Sequence, residues 1–321
     1  MDFELSDFSR QAREAGAAVL AADIGGSFIK FAAADRTGRP LALLHRPNPA
    51  HDWAAFTATM AALAEAADPG GTLPLALSVA GTIDPESGIS IAANIGCING
   101  RPVARELGPA LARPVLAAND ADCFALAEAL QGAGAGHRTV FGIILGTGVG
   151  GGLVIDGRIL EGAGGVSGEW GHGPVVGERI VGGIAVPVLR CGCGQIGCLD
   201  TVGGARGLER LDSVLNGTMR DSRALLAAWL AGEAQARAAV ELYLDLLAGP
   251  LAMVLNLTGA SLVPVGGGLS NVAPLVDALD RAVRARILRR TADPVVRPAI
   301  LGADAGLIGA ALLALGSAAS G

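Results

Sequence analysis

Short apolar runs and polar breaks set out the first part of the chain. Residues 18–46 hold three β-branched or apolar runs, broken at Gly25-Gly26 and at Arg36-Thr37-Gly38-Arg39-Pro40. That pattern predicts three antiparallel strands joined by hairpins, preceded by a polar leader. Helical spacing follows over about 52–67, a buried strand over 74–80, a helix over 102–111, a strand over 114–118 and a helix from Asn119 to about Gln131. Residues 138–160 read as two strands around a Gly-rich turn, with Asp156-Gly157 as a second hairpin signal. A long Gly-rich stretch, 161–200, predicts irregular structure. Beyond it the pattern is helical over about 220–257, and the strand Ser261–Val265 then runs into Gly266-Gly267-Gly268. A helix over 272–285, a strand-like 295–301 and a buried terminal helix around Leu307–Ala319 complete the series.

Strands alternating with helices predict an α/β fold. At 321 residues the chain exceeds one comfortable core and suits two lobes. Hydrophobic residues make up 51% and charged residues 17%, which excludes disorder as the main state. A net charge of -6 with no Lys/Arg cluster in the sequence argues against nucleic acid as the main partner. The first thirteen residues carry Asp2, Glu4 and Asp7 and lack the basic-then-apolar order of a secretory signal, so a cytoplasmic location is expected and no membrane partner. Of five cysteines, Cys191, Cys193 and Cys198 crowd together, which in a reducing compartment points to metal rather than disulfides.

Gly146, Gly148 and Gly151 satisfy the dinucleotide fingerprint G-x-G-x-x-G. That fingerprint needs a helix directly after the glycines, whereas Leu153–Leu160 reads as a strand with a hairpin turn. Two glycine-tipped hairpins, Asp23-Ile24-Gly25-Gly26-Ser27 and Gly146-Thr147-Gly148, could instead press backbone N–H groups against a triphosphate, with Asp23 placed to hold Mg²⁺. Each is also consistent with an ordinary tight turn, and Asn119-Asp120 with a simple helix cap.

Taken together, these motifs resemble the ROK family of sugar kinases and repressors, which has the two-lobed actin-like ATPase (ribonuclease H-like) fold. The resemblance runs from about residue 18 to 315 and rests on the Asp23 hairpin, Asn119-Asp120-Ala121, Leu145-Gly146-Thr147-Gly148-Val149-Gly150, Glu169-x-Gly-His172 and Cys191-x-Cys193-Gly-x-x-Gly-Cys198. It implies a small lobe over 1–118 joined by the C-terminal helix 302–321, a large lobe over 119–301 with a zinc-binding loop at 172–198, and an active site in the interlobe cleft. Within the family the chain looks most like the bacterial members that phosphorylate N-acetyl-D-glucosamine, through Asn119–Leu126, Cys191-Gly-Cys193-Gly-Gln195 and Gly266-Gly267-Gly268-Leu269-Ser270-Asn271.

The resemblance implies phosphorylation of a hexose 6-hydroxyl by Mg-ATP with Asp120 as general base, and Gly81, Asn94, Asn119, Glu169, His172 and Asp200 around the sugar. Asp23, Gly25, Gly26, Ser27, Lys30, Gly146, Thr147, Gly148, Gly266, Gly267 and Gly268 are the implied donor-binding residues. His172 with Cys191, Cys193 and Cys198 makes a closed set that suits a structural Zn²⁺. A homodimer is usual in the family. Asp200 stands where the family usually has Glu, Ala80 where it has Pro, and Asp122 where it has a second Asn. The spacing of Ser27 and Lys30 is similar to that of polyphosphate-using members. Glucokinase, fructokinase and N-acetylmannosamine kinase activities, a polyphosphate donor and a non-catalytic sugar sensor therefore stay open as alternatives.

Overall fold

The computed structural model describes residues 3–181, 183–217 and 219–318. Met1, Asp2, Gly182 of the expected zinc loop and residues 319–321 of the expected terminal helix lie outside the described residues. The chain runs α1 (Phe3–Glu14), β1 (Val19–Ile24), β2 (Phe28–Ala34), β3 (Pro40–Pro47), α2 (Trp53–Ala67), β4 (Leu75–Val79), β5 (Thr82–Ile83), β6 (Ser90–Ile91), α3 (Val103–Leu111), β7 (Val115–Asn119) and α4 (Asp120–Leu130). There follow β8 (Thr139–Leu145), β9 (Val149–Ile155), β10 (Arg158–Ile159), β11 (Ile180–Val181), β12 (Ile184–Ala185), α5 (Asp200–Gly203), α6 (Ala205–Asn216), α7 (Ser222–Leu230) and α8 (Ala234–Thr258). The last elements are β13 (Val263–Gly266), α9 (Ala273–Arg284), β14 (Val296–Pro298) and α10 (Ala305–Ala318).

Two compact units divide the chain: residues 1–128, 159–167 and 301–321 in the first, 129–158 and 168–300 in the second. The sequence had placed residues 119–128 and 159–167 in the large lobe; in the structure they belong with the first unit. The cause for α4 is packing, because Cys123 is buried with Leu307 and Ala310 of α10, and Glu128 Oε1 accepts from Leu301 N at 2.8 Å.

In the first unit the sheet order is β3-β2-β1-β4-β7, antiparallel from β3 to β1 and parallel from β1 to β7. Period-two alternation sends successive residues to opposite faces. Leu20, Ala22 and Ile24 of β1 pack with Phe8 of α1 and Phe56, Met60 and Leu63 of α2. Val19 and Ala21 face the other way, with Ala32, Ala76 and the alanine-rich α10. Asp52 caps α2, its Oδ1 accepting from Ala55 N at 3.0 Å.

The other five-stranded sheet has the order β10-β9-β8-β13-β14, with β9, β8, β13 and β14 in the second unit and β10 at the boundary between residues 158 and 159. Helix α8 is the core helix. It is long and apolar enough to cross a membrane by length and composition, yet it packs on α6, α7 and α9 and buries Tyr243, Leu247 and Leu251. The Tyr243 hydroxyl meets its need for a partner by donating to Gly203 O at 2.7 Å. The residues after Gly146-Thr147-Gly148 form β9, paired antiparallel with β8, so the dinucleotide reading fails on the ground given by the pattern.

Candidate functional site

The first unit gathers Asp23, the glycine hairpin and the start of α4. Asp23 lies near the end of β1, across from Lys30 of β2 and beside Ser78 of β4 in register. Ser78 Oγ donates to Asp23 Oδ1 at 2.7 Å. Burial pushes the Asp23 carboxyl upward, opposed by the Ser78 hydroxyl and the Lys30 charge. Lys30 Nζ donates to Ala303 O at 2.6 Å and to Asp304 Oδ1 at 3.0 Å. The hairpin is closed by Gly25 N donating to Phe28 O at 3.0 Å, and Asn48 Nδ2 fixes it from outside through Gly25 O at 2.6 Å. Gly26 lies close against Asn94, where a Cβ would make a tight contact of 3.3 Å with Asn94 O.

Asn119 ends β7 and caps α4. Its Oδ1 accepts from Ala121 N at 2.8 Å and Asp122 N at 3.2 Å, while its Nδ2 donates to Gly81 O at 2.9 Å. Gly81 must be glycine, because a Cβ would meet Ile91 O at 2.4 Å. Asp120 opens the helix, with Oδ1 accepting from Ala121 N at 2.9 Å. The first turn of a helix favours negative charge. Gly81, Asn119 and Asp120 thus form one corner, and Asn94 adjoins the hairpin.

The second unit gathers the other predicted residues. Gly146 N donates to Gly148 O at 3.1 Å at the β8–β9 tip, and Asp200 Oδ1 accepts from Val149 N at 2.8 Å. A Cβ on Gly148 would lie 2.3 Å from Asp200 Oδ1, so the glycine is what admits this carboxylate. Gly266 pairs with Ile144 of β8, which sets Gly266-Gly267-Gly268 alongside the hairpin. Gly146, Thr147, Gly268, Asn271, Arg223 and Leu226 line a concavity of about 680 Å³ with one apolar wall.

Glu169 and His172 share a turn closed by His172 N donating to Glu169 O at 3.1 Å, and Trp170 anchors it to β9 through Nε1 and Gly150 O at 3.0 Å. Glu169 Oε2 lies 3.7 Å from His172 Nε2. Burial raises the Glu169 carboxyl, with the His172 charge opposing and Asp200 adding to the rise. The other ring nitrogen, Nδ1, faces Cys191 Sγ at 3.6 Å, and Cys193 Sγ lies 3.6 Å from Cys198 Sγ. All four ligand atoms lie within 4.8 Å of one another. Bonds of about 2.3 Å to a tetrahedral ion put sulfurs about 3.8 Å apart, so the four residues fit such an ion. The Cys193 thiol is lowered to about 7, chiefly by the Gln195 N–H, whereas burial raises Cys191 to about 11. Cys97 and Cys123 are buried core residues.

Sequence reasoning missed Ser78, Asn48, Asp304 and Trp170. Ser78 left a signal, being the one polar residue of the buried strand Leu75–Val79.

The ROK family model matches residues 19–317. The N-acetyl-D-glucosamine kinase of Pasteurella multocida strain Pm70 is 37% identical over 74% of this chain and 79% of its own. The N-acetylgalactosamine kinase of Shewanella sp. strain ANA-3 is also 37% identical, over 92% of this chain and 96% of its own. Among solved structures, the ROK hexokinase of Thermus thermophilus superposes with a TM-score of 0.81 at 32% identity, covering 94% of this chain and 99% of that one. The fold is that of these sugar kinases, the actin-like ATPase fold.

Proposed function

The chain belongs to the ROK family, and from that premise we propose that it is a sugar kinase transferring the γ-phosphoryl group of Mg-ATP to the 6-hydroxyl of N-acetyl-D-glucosamine. The observation that carries the reading is the corner of Asp120, Asn119 and Gly81, a carboxylate at a helix start beside an amide already oriented by the Gly81 carbonyl. Phosphoryl transfer needs positioning and charge compensation more than covalent chemistry. In this reading Asp120 takes the hydroxyl proton as the phosphoryl group departs from ADP. The other hydroxyls are assigned to Asn94 and Asn119 of the first unit and to Glu169, His172 and Asp200 of the second, carboxylates and amides being suited to vicinal donors.

Asp23 would hold the donor's Mg²⁺, the Gly25-Gly26-Ser27 and Gly146-Thr147-Gly148 hairpins would present N–H groups to the phosphates, and Lys30 would add charge. The concavity beside Gly266-Gly267-Gly268 suits the nucleoside, with Leu226 on its apolar side. Zn²⁺ held by His172, Cys191, Cys193 and Cys198 would be structural, since four protein ligands leave no open position. It would fix His172 through Nδ1 and so aim Nε2 at Glu169.

A second reading, phosphorylation of the galacto epimer, is favoured by the equal identity of the Shewanella relative. The proposal predicts ADP release from Mg-ATP that depends on added N-acetyl-D-glucosamine, with NMR placing the new phosphate on C6. Absence of sugar-dependent ADP release, or a phosphate on C1, would sink it.

A further inference from the structure

Within the second unit a concavity of about 590 Å³ shares Thr147, Gly148, Cys191 and Asp200 with the site just described, and three arginines, Arg190, Arg206 and Arg210, are among its other lining residues. Two of these are pinned without being neutralised. Arg190 Nη1 donates to Gly194 O at 3.1 Å, and Arg210 Nη1 donates to Thr201 O. Arg206, in the first turn of α6, has no hydrogen-bond or ion-pair partner among the described residues. Asp200 is the one carboxylate in the lining, and its Oδ1 is taken by Val149 N. Arg113, Arg220 and Arg284, by contrast, each meet a carboxylate within the distance of an ion pair.

Like charges gathered around one concavity repel unless an anion joins them. The helix adds to the attraction. Gly204 at the N-cap of α6 offers no side-chain acceptor, so the positive end of this 12-residue helix has no side-chain cap, although Ala205 N donates to Gly146 O at 2.8 Å. Arginine forks match phosphate oxygens in geometry as well as charge. The shared wall at Thr147-Gly148 makes the concavity continuous with the donor hairpin, so the anion it fits is part of a phosphoanhydride chain.

We propose that Arg190, Arg206 and Arg210 form an anion subsite that receives phosphate oxygens of a phosphoryl-donor chain running past the Gly146-Thr147-Gly148 hairpin. The proposal rests on the kinase reading. The chain could be the nucleotide's own phosphates or a longer inorganic oligophosphate.

The test is calorimetric titration of the full chain with inorganic tripolyphosphate, comparing wild type with Arg206→Gln, Arg190→Gln and Arg237→Gln; Arg237 is on α8 and does not line the concavity. Arg206 has no bonding partner among the described residues, so its replacement should leave the melting temperature unchanged. Loss of one charged contact is expected to weaken binding about tenfold in the first two variants, with Arg237→Gln like wild type. Equal binding by wild type and Arg206→Gln, equal weakening by Arg237→Gln, or no binding by wild type would overturn the subsite. A parallel rise in KM for Mg-ATP in Arg206→Gln identifies the nucleotide's phosphates as the occupant; an unchanged KM with weakened tripolyphosphate binding identifies the inorganic chain. Failure of wild type to phosphorylate any sugar would remove the kinase reading and leave the calorimetry to decide the subsite.

Discussion

At the residue scale the candidate site is built on carboxylates held by backbone and side-chain donors. Asp120→Asn keeps the shape of the side chain but cannot take a proton, so kcat should fall by about 10² to 10⁴ while the sugar dissociation constant measured by calorimetry stays within about threefold. Turnover near the wild-type rate would remove Asp120 from the mechanism. Lys30 is the only lysine in the sequence, which makes a second test unusually clean. Amine-directed acylation should inactivate the enzyme in step with modification of Lys30, and Mg-ATP should protect it; modification of Lys30 without loss of activity would contradict its role. The positions of Asp23 near a strand end, of Asp120 at a helix start and of the glycine turns between paired strands were legible because each sits in a short motif. The partners of Lys30, Ala303 and Asp304, were not, since more than 270 residues separate them and no local pattern joins them.

At the element scale, most strands and helices follow from periodicity, but α1, α5, α6 and the two-residue strands β5, β6, β11 and β12 did not, and the helical stretch expected over 220–257 divides into α7 and α8. Helix α1 buries little more than Phe8 and Ala12, one turn apart, so a mainly polar leader carries only a thin apolar stripe. Helix α6 buries Leu208, Leu211 and the charged Asp212 between flanking glycines, which broke the apolar signal. That buried acid is held by Arg220, whose Nε donates to Asp212 Oδ2 at 2.9 Å and whose Nη2 donates to Oδ1 at 2.8 Å. Arg220→Ala would strand a carboxylate inside the second unit and should lower unfolding stability by about 3 kcal/mol or more in urea melts; a loss under about 0.5 kcal/mol would show that the pair contributes nothing net. The Gly-rich stretch 161–200 reads as irregular in sequence and is largely so in the structure, apart from the short β11–β12 pair, and it brings together the ligand atoms of His172, Cys191, Cys193 and Cys198. Cys193→Ser should cut bound zinc below one ion per chain and speed proteolysis between residues 172 and 198. Metal content equal to wild type would refute the zinc assignment.

At the scale of the whole molecule, chain length and alternating elements foretold an α/β protein of two parts, and each unit has its own buried core. The resemblance placed the C-terminal helix with the first unit, where α10 packs against the alanines of β1, β2 and β4; the membership of residues 119–128 and 159–167 was not legible, because it depends on tertiary packing. Substrate choice is likewise a property of the assembled site. Relatives named for N-acetylglucosamine and for N-acetylgalactosamine are equally similar, at 37% identity, so overall likeness does not fix the configuration at C4 of the sugar. The most direct test of the central claim is kcat/KM with Mg-ATP for N-acetyl-D-glucosamine, N-acetyl-D-galactosamine, N-acetyl-D-mannosamine and D-glucose under one set of conditions. The account predicts the highest value for N-acetyl-D-glucosamine; a higher value for any of the other three, or no turnover of all four, would contradict it.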